Sequence, residues 1–217
     1  MSKKRPVSIP EYTLAEELVN SISHGIGAGL AIAALVLCII KASSGHAVVA
    51  AVLYGALMIT LYVISCIYHA LSPKVKGKKV LRVIDHANVF LMEAGTYMPI
   101  CLSLFFGTWY GWVTFDIVWA ITALAVVLSS IDVDKYQMVG VVRNLILGWG
   151  SLLLLPWLIP AVGASGLALL IGGGAIYSLG AGLYVIGKKR KWFHSIFHFF
   201  VLAGSILHFF FVYLYCL

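Results

Sequence analysis

Long apolar runs alternate with short polar segments along the whole chain. A helix that crosses the hydrocarbon core of a bilayer needs about 20 mostly apolar residues. Seven runs approach or exceed that length: 22–40, 47–71, 83–106, 112–128, 139–159, 166–186 and 194–217. The links between them are short, so neighbouring helices should be antiparallel. The pattern predicts one all-α, polytopic membrane domain over residues 1–217, with seven transmembrane helices preceded by a polar segment, 1–20.

Composition supports this prediction and excludes a soluble enzyme. Hydrophobic residues make up 62% of the 217 residues and charged residues only 11%. A soluble domain carries about 25% charged residues, so this chain could not cover an aqueous surface. The net charge of +7 does not indicate nucleic-acid binding, because the basic residues lie between apolar runs. We expect membrane lipids, and no nucleic acid, to be the partners.

The basic residues predict the orientation. Placing the N-terminus in the cytoplasm puts 14 of the 15 Lys and Arg residues inside and leaves Lys41 outside. The inner set is Lys3, Lys4, Arg5, Lys74, Lys76, Lys78, Lys79, Arg82, Lys135, Arg143, Lys188, Lys189, Arg190 and Lys191. Cytoplasmic loops of membrane proteins are enriched in such residues. The N-terminus, with segment 1–20, is therefore predicted to be cytoplasmic and the C-terminus to lie outside.

This topology brings five of the seven histidines to the cytoplasmic ends of the helices. They are His24, His69, His86, His194 and His198. Ionisable groups within a membrane are costly and therefore need a partner or a role. His194 and His198 are four residues apart and share one helix face, where two imidazoles can bind one ion. Three imidazoles and a water form the usual shell of a catalytic zinc ion.

Asp85 and Ser65 are the candidate catalytic residues beside these histidines. Ser65 and His69 have the same four-residue spacing, and Asp85 follows after a short hairpin. Asp85 could hold a metal-bound water or accept its proton. It could equally cap the third helix, since Asp satisfies free N–H groups at a helix N-terminus. The His194–His198 segment lacks the Glu of an HExxH motif, so the chain is not predicted to be a metalloprotease of that type.

Other polar residues have less specific readings. Glu16 and Glu17 could be ordinary first-turn acids, and His86 an indirect neighbour of the metal. His208 is too far along its helix to join the same ion and is expected to form a buried hydrogen bond. Glu93 and Thr96 could line a cavity or form interhelical hydrogen bonds. The glycines 172–174 indicate close helix packing or a bend in the helix.

These residues also resemble a known family. The matching stretches are Glu-Glu-Leu-Val-Asn-Ser-Ile-Ser-His-Gly (16–25), Ser-Cys-Ile-Tyr-His (65–69), Asp-His-Ala-Asn-Val (85–89), Ala-Gly-Thr-Tyr-Met-Pro (94–99) and the HxxxH-containing segment 194–209. They resemble the bacterial hemolysin III family, which is grouped with the progestin and adipoQ receptors and, more distantly, the alkaline ceramidases. The ordered combination of SxxxH, Asp and HxxxH is specific, whereas each motif alone is weak.

The resemblance implies a site, a location and an activity. In the adiponectin receptors the matching histidines bind zinc and the matching Asp holds a water on it. Carried over, the metal site comprises His69, His194, His198 and Asp85, with Ser65 beside it. The resemblance further implies a multi-pass protein of the bacterial plasma (inner) membrane that takes part in membrane lipid and fluidity homeostasis, and hydrolysis of a lipid amide as in ceramidases.

Three other functions compete with a zinc-dependent lipid hydrolase. A membrane sensor or receptor could use zinc as a structural clip. A haemolytic, cytolytic protein is suggested by the family name, although seven retained apolar helices are unsuited to a soluble pore former. A transporter is disfavoured because the ionisable residues gather at one end. Imidazole and carboxylate ligands suit zinc but also iron or nickel.

Overall fold

The computed structural model describes residues 7–187 and 190–217, and this part of the chain is all-helical, with no β-strand. It contains seven α-helices: α1 (Leu14–Lys41), α2 (Gly45–Ala70), α3 (Gly77–Pro99), α4 (Trp109–Ile131), α5 (Val133–Gly150), α6 (Leu155–Gly187) and α7 (Phe193–Phe211). The all-α class is therefore confirmed. Five basic residues used for the orientation lie outside the described residues: Lys3, Lys4, Arg5, Lys188 and Lys189.

The first helix begins at Leu14, two turns before the apolar run that predicted it. Thr13 forms the N-cap, and its hydroxyl accepts a hydrogen bond from the backbone N–H of Glu16 at 3.3 Å. The Glu16 carboxylate accepts one in return from the Thr13 backbone N–H at 2.9 Å. This capping box satisfies two N–H groups that a helix start leaves free. It starts α1 before the apolar run and confirms that Glu16 and Glu17 lie in the first turn.

The predicted start of the third helix is also wrong. It begins at Gly77 instead of residue 83, and its first turns contain Lys78 and Arg82, which are 0% and 2% exposed. Hydropathy did not indicate these turns, because it scores Lys and Arg as polar although both side chains are buried here. The helix ends at Pro99, and a π-helical segment (Ile100–Leu104) follows. Proline lacks the N–H that a regular helix would use, which fits this change of helix type.

Five helical stretches within the described residues are long and apolar enough to cross a membrane. They are Leu14–Lys41, Gly45–Ala70, Trp109–Ile131, Val133–Gly187 and Phe193–Cys216. The fourth has 55 residues, and Gly163 interrupts it with non-helical dihedral angles, φ 62° and ψ −173°. Only glycine adopts such a conformation at little steric cost. The chain is thus a multi-pass, helical membrane protein.

Consecutive helices pack against one another, and α1 also packs against α7, which closes the bundle. Glycine permits the closest contact between α6 and α7: a Cβ atom on Gly173 would lie 2.2 Å from the His208 ring. Close packing is therefore confirmed at Gly173, whereas a Cβ atom on Gly172 or Gly174 would make only ordinary contacts. The buried core includes Tyr54, Tyr62 and Met98.

Candidate metal centre

Three imidazoles meet where α2 ends and α7 begins. His69, His194 and His198 each offer one ring nitrogen, and these atoms all lie within 4.8 Å of one another. The Nε2 atoms of His194 and His198 are 3.1 Å apart, as their four-residue spacing on one helix predicted. His69 and His198 are each 2% exposed. The predicted convergence of these three histidines is confirmed, and the cluster could bind a metal ion.

Glu17 orients His69 within this cluster. Its Oε2 lies 2.5 Å from Nδ1 of His69, and since a carboxylate only accepts, Nδ1 donates the hydrogen bond. The lone pair of the neutral ring is then on Nε2, which is buried and has no hydrogen-bond partner among the described residues. Metal-binding histidines are usually held in this way by a carboxylate. The ring therefore fits a metal ligand better than an interfacial histidine.

Lys78 completes this arrangement from α3. Its Nζ lies 2.6 Å from Oε1 of Glu17 and donates to the carbonyl of Leu71 at 2.7 Å. The ammonium also lies 5.1 Å from the centre of the Tyr68 ring. Glu17 is thus more than a first-turn acid, since it links a buried lysine to a candidate metal ligand.

Glu16 fixes the start of α7. Its Oε1 accepts a hydrogen bond from the backbone N–H of Trp192 at 2.6 Å. Trp192 precedes α7 with φ 69°, in the left-handed region, and His194 follows two residues later. One side chain therefore caps α1 and positions the turn that leads into the His194–His198 pair.

Asp85 and Ser65 line the cavity that also contains His194 and His198. Asp85 lies in the third turn of α3, since that helix begins at Gly77 with Lys76 as N-cap residue. The capping role considered for Asp85 is therefore wrong. Its carboxylate lies outside the set of ligand atoms within 4.8 Å of one another. Its position in the cavity wall suits contact with a molecule that is bound in the cavity.

Two further rings contact the three histidines. His24 of α1 stacks on His198 with centroids 3.8 Å apart and an interplanar angle of 26°. Tyr12 stacks on His194 with centroids 4.9 Å apart and an angle of 15°. Burial raises the pKa of Tyr12 above its usual value, so this phenol stays neutral. The sequence predicted His24 at the same helix ends as the other histidines but indicated no role for it, and it did not indicate Tyr12. The spacing of Glu17, Asn20 and His24 on one face of α1 was the available signal.

The N-terminal segment, residues 7–13, lies across this end of the bundle. The backbone N–H and hydroxyl of Ser8 donate to Asp134 of α5 at 3.0 and 2.9 Å. Arg82 of α3 donates to the Ser8 carbonyl at 2.7 Å and pairs with Asp134 at 2.7 Å. Together with the Tyr12 stack, these contacts hold the segment over the histidines.

The remaining histidines lie outside the three-histidine group. His86 bonds to the Arg82 carbonyl at 2.9 Å and to the Tyr184 hydroxyl at 3.1 Å. His46 belongs to the first turn of α2 and contacts the Leu102 carbonyl at 3.1 Å. His208 bonds to the Leu170 carbonyl at 3.2 Å, as expected of a buried hydrogen-bonding residue.

The cavity extends from the histidines into the bundle and has a volume of about 240 Å³. Its far part includes Glu93, Thr96 and His208. Both predictions for Glu93 are confirmed: it lines the cavity, and it contacts another helix through an ion pair with Arg143 of α5. Thr96 lines the cavity too, and its hydroxyl bonds within α3 to the Met92 carbonyl. The wall is otherwise mainly apolar, which suits a hydrocarbon chain.

Known proteins are similar in sequence to this chain over nearly its full length. Residues 12–209 match the family model described as "Haemolysin-III related". The chain is 36% identical over 208 residues to the "Hemolysin-3 homolog" of Bacillus subtilis (strain 168), covering 94% of this chain and 96% of that protein. It is also 36% identical over 206 residues to "Hemolysin-3" of Bacillus cereus, covering 93% of this chain and 92% of that protein.

Proposed function

This chain belongs to the haemolysin III family, and on that premise we propose that it is a zinc-dependent membrane hydrolase of a lipid amide or ester. Its physiological role would be membrane lipid and fluidity homeostasis in the bacterial plasma membrane. The single observation that carries the proposal is the convergence of His69, His194 and His198 at a mainly apolar cavity.

The proposed topology has seven crossings, with the N-terminus and the histidines at the cytoplasmic face. A continuous helix of the length of Val133–Gly187 would span about 80 Å, far more than the roughly 30 Å of hydrocarbon. The break at Gly163 instead permits two crossings. Lys78, Arg82 and Glu93 of α3 each form an ion pair with another helix, which allows α3 to be the remaining membrane-crossing helix.

The donor set fits zinc. Three imidazoles are the protein ligands of many catalytic zinc sites, and the Glu17 contact leaves Nε2 of His69 free to bind. His194 and His198 would supply the other two nitrogens. When bound, zinc supplies Lewis acidity that polarises a carbonyl group.

Residues of the protein would bind the substrate and transfer the protons. The cavity would hold the acyl chain and exclude water from it. Asp85 would accept a proton on a carboxylate oxygen from the attacking water and return it to the leaving amine or alcohol. The Ser65 hydroxyl would orient the carbonyl oxygen. Both residues line the cavity, as His194 and His198 do.

The decisive experiment combines metal analysis with an assay. Protein purified in mild detergent without chelators should contain about one zinc per chain by mass spectrometry, and His194→Ala/His198→Ala should contain none. Ceramide in mixed micelles should be hydrolysed by the parent protein only. His46→Ala is the matched control, because that histidine lies outside the three-histidine group and should affect neither result. Zinc retained by the double variant would overturn the site.

A second function, a membrane sensor with structural zinc, has one observation in its favour. His69 lies at the end of α2, whereas His194 and His198 lie on α7, so a metal would join helices distant in sequence. This function predicts bound zinc without turnover. His69→Ala would then lower the melting temperature, and Asp85→Ala would alter only the response to lipid.

A further inference from the structure

His24 is a buried histidine whose hydrogen bonds are not accounted for. It is 4% exposed, and neither Nδ1 nor Nε2 has a hydrogen-bond partner among the residues that the structure describes. A neutral imidazole always carries one N–H group and one acceptor nitrogen. Buried polar groups in folded proteins are nearly always paired, so a ring without a partner among the described residues points to a bound ligand as that partner.

The ring is held firmly despite lacking these bonds. One face stacks on His198, and the edge of Tyr62 meets the ring with centroids 5.1 Å apart at 88°. Tyr62 is itself fixed, because its hydroxyl donates to Ser205 at 2.7 Å. These contacts position the imidazole without using its nitrogens.

His24 also lines the cavity, together with Ser65, Asp85 and His198. Its environment differs from that of His208, which uses Nε2 to contact the Leu170 carbonyl. His24 is also absent from the group of nitrogens that lie within 4.8 Å of one another. It therefore fits neither a satisfied core histidine nor a member of that ligand group.

We propose that His24 is a substrate-contacting residue, whose ring N–H donates a hydrogen bond to an oxygen of the lipid headgroup bound beside the three histidines. This inference rests on the proposed function for the nature of the ligand, a lipid amide or ester. The donor is the neutral ring, which stacks on one candidate metal ligand and lines the cavity where the acyl carbonyl or the product carboxylate would lie.

Two variants separate the hydrogen bond from packing. His24→Phe keeps an aromatic ring against His198 and Tyr62 but removes the donor. His24→Asn is smaller but keeps an N–H donor. His46→Asn is the matched control, since His46 lies at the start of α2 and bonds to Leu102.

Ligand binding is measured as the rise in melting temperature caused by laurate, with dodecane as the apolar reference. A ligand that binds only the folded protein raises its melting temperature by mass action. Laurate should raise the melting temperature of the parent and of His46→Asn more than dodecane does. The same excess should be present but smaller in His24→Asn. The excess over dodecane should vanish in His24→Phe. With ceramide as substrate, kcat/KM should fall about tenfold to a hundredfold in His24→Phe, the size expected for one lost hydrogen bond to a charged or reacting group.

The outcomes judge the inference and the proposed function separately. An equal laurate effect in the parent and in His24→Phe, or equal effects of laurate and dodecane on the parent, would overturn the role of His24. Loss of bound zinc in His24→Phe would overturn it as well, because the residue would then be a ligand. If the parent hydrolyses nothing but laurate stabilises it through His24, the hydrolase proposal fails and the contact survives.

Discussion

Nδ1 of His69 donates a hydrogen bond to Oε2 of Glu17 over 2.5 Å. The bond joins α1 to the end of α2 and selects the tautomer whose Nε2 points away from Glu17. Because both side chains are largely buried, the orientation of the ring is set by the protein and not by solvent.

Glu17→Ala should therefore weaken metal binding without removing a ligand. Loss of such a carboxylate typically costs about tenfold to a hundredfold in metal affinity. The measurement is zinc competition against a chelator of known affinity. Glu11→Ala is the control, because Glu11 is an exposed acid nearby. Unchanged affinity in Glu17→Ala would show that His69 needs no such orientation.

Lys78→Met should destabilise the protein by leaving the Glu17 carboxylate without its buried cation. Removing one partner of a buried ion pair costs about 3–5 kcal/mol. Thermal unfolding in detergent should show a lower melting temperature, and adding Glu17→Gln should recover part of the loss. The exposed neighbour Lys79→Met should be neutral. A double variant less stable than Lys78→Met would argue against the pair.

Asp85→Asn should abolish turnover while zinc remains bound. A positioned general base contributes about 10²–10⁴-fold to rate, and the amide cannot accept the proton. Zinc content and ceramide hydrolysis are measured on the same sample. Asp116→Asn, an exposed acid of α4, is the control. Full activity in Asp85→Asn would remove Asp85 from the mechanism.

Gly173→Ala should separate α6 from α7. The new Cβ would lie 2.2 Å from the His208 ring, so either the ring or the helix must move. Overpacking of this kind costs about 1–3 kcal/mol. Thermal unfolding would reveal the loss. Gly174→Ala is a close control, because its Cβ would lie 3.9 Å from Trp149, an ordinary contact.

Hydropathy predicted the helical fold well because apolar runs of membrane length are a strong signal. It misplaced the starts of α1 and α3 because polar residues fill their first turns. Thr13 and Glu16 extend α1 through a capping box, which hydropathy does not measure. Lys78 and Arg82, both buried, extend α3 and form ion pairs with Glu17 and Asp134, whereas hydropathy counts both residues as unfavourable.

The three-histidine cluster was predictable because topology and helical spacing together fix it. His194 and His198 share a face by spacing alone, and the basic residues place His69 at the same end. The contacts of Glu17 and His24 were not predictable to this degree, since they depend on how α1 is rotated against α2 and α7. Tyr12 precedes the first helix, so no periodicity indicated its stack on His194.

The N-terminal segment has a consequence for how enzyme kinetics should be measured. Ser8 and Tyr12 hold it against Asp134 and His194 at the end of the bundle where the histidines lie, so it narrows the direct path from bulk water. A lipid would then enter sideways from its own leaflet. The concentration that governs the rate would be the mole fraction of substrate in the membrane. Diluting the substrate with inert lipid should slow the reaction, whereas diluting the whole suspension with buffer should leave the rate per protein unchanged.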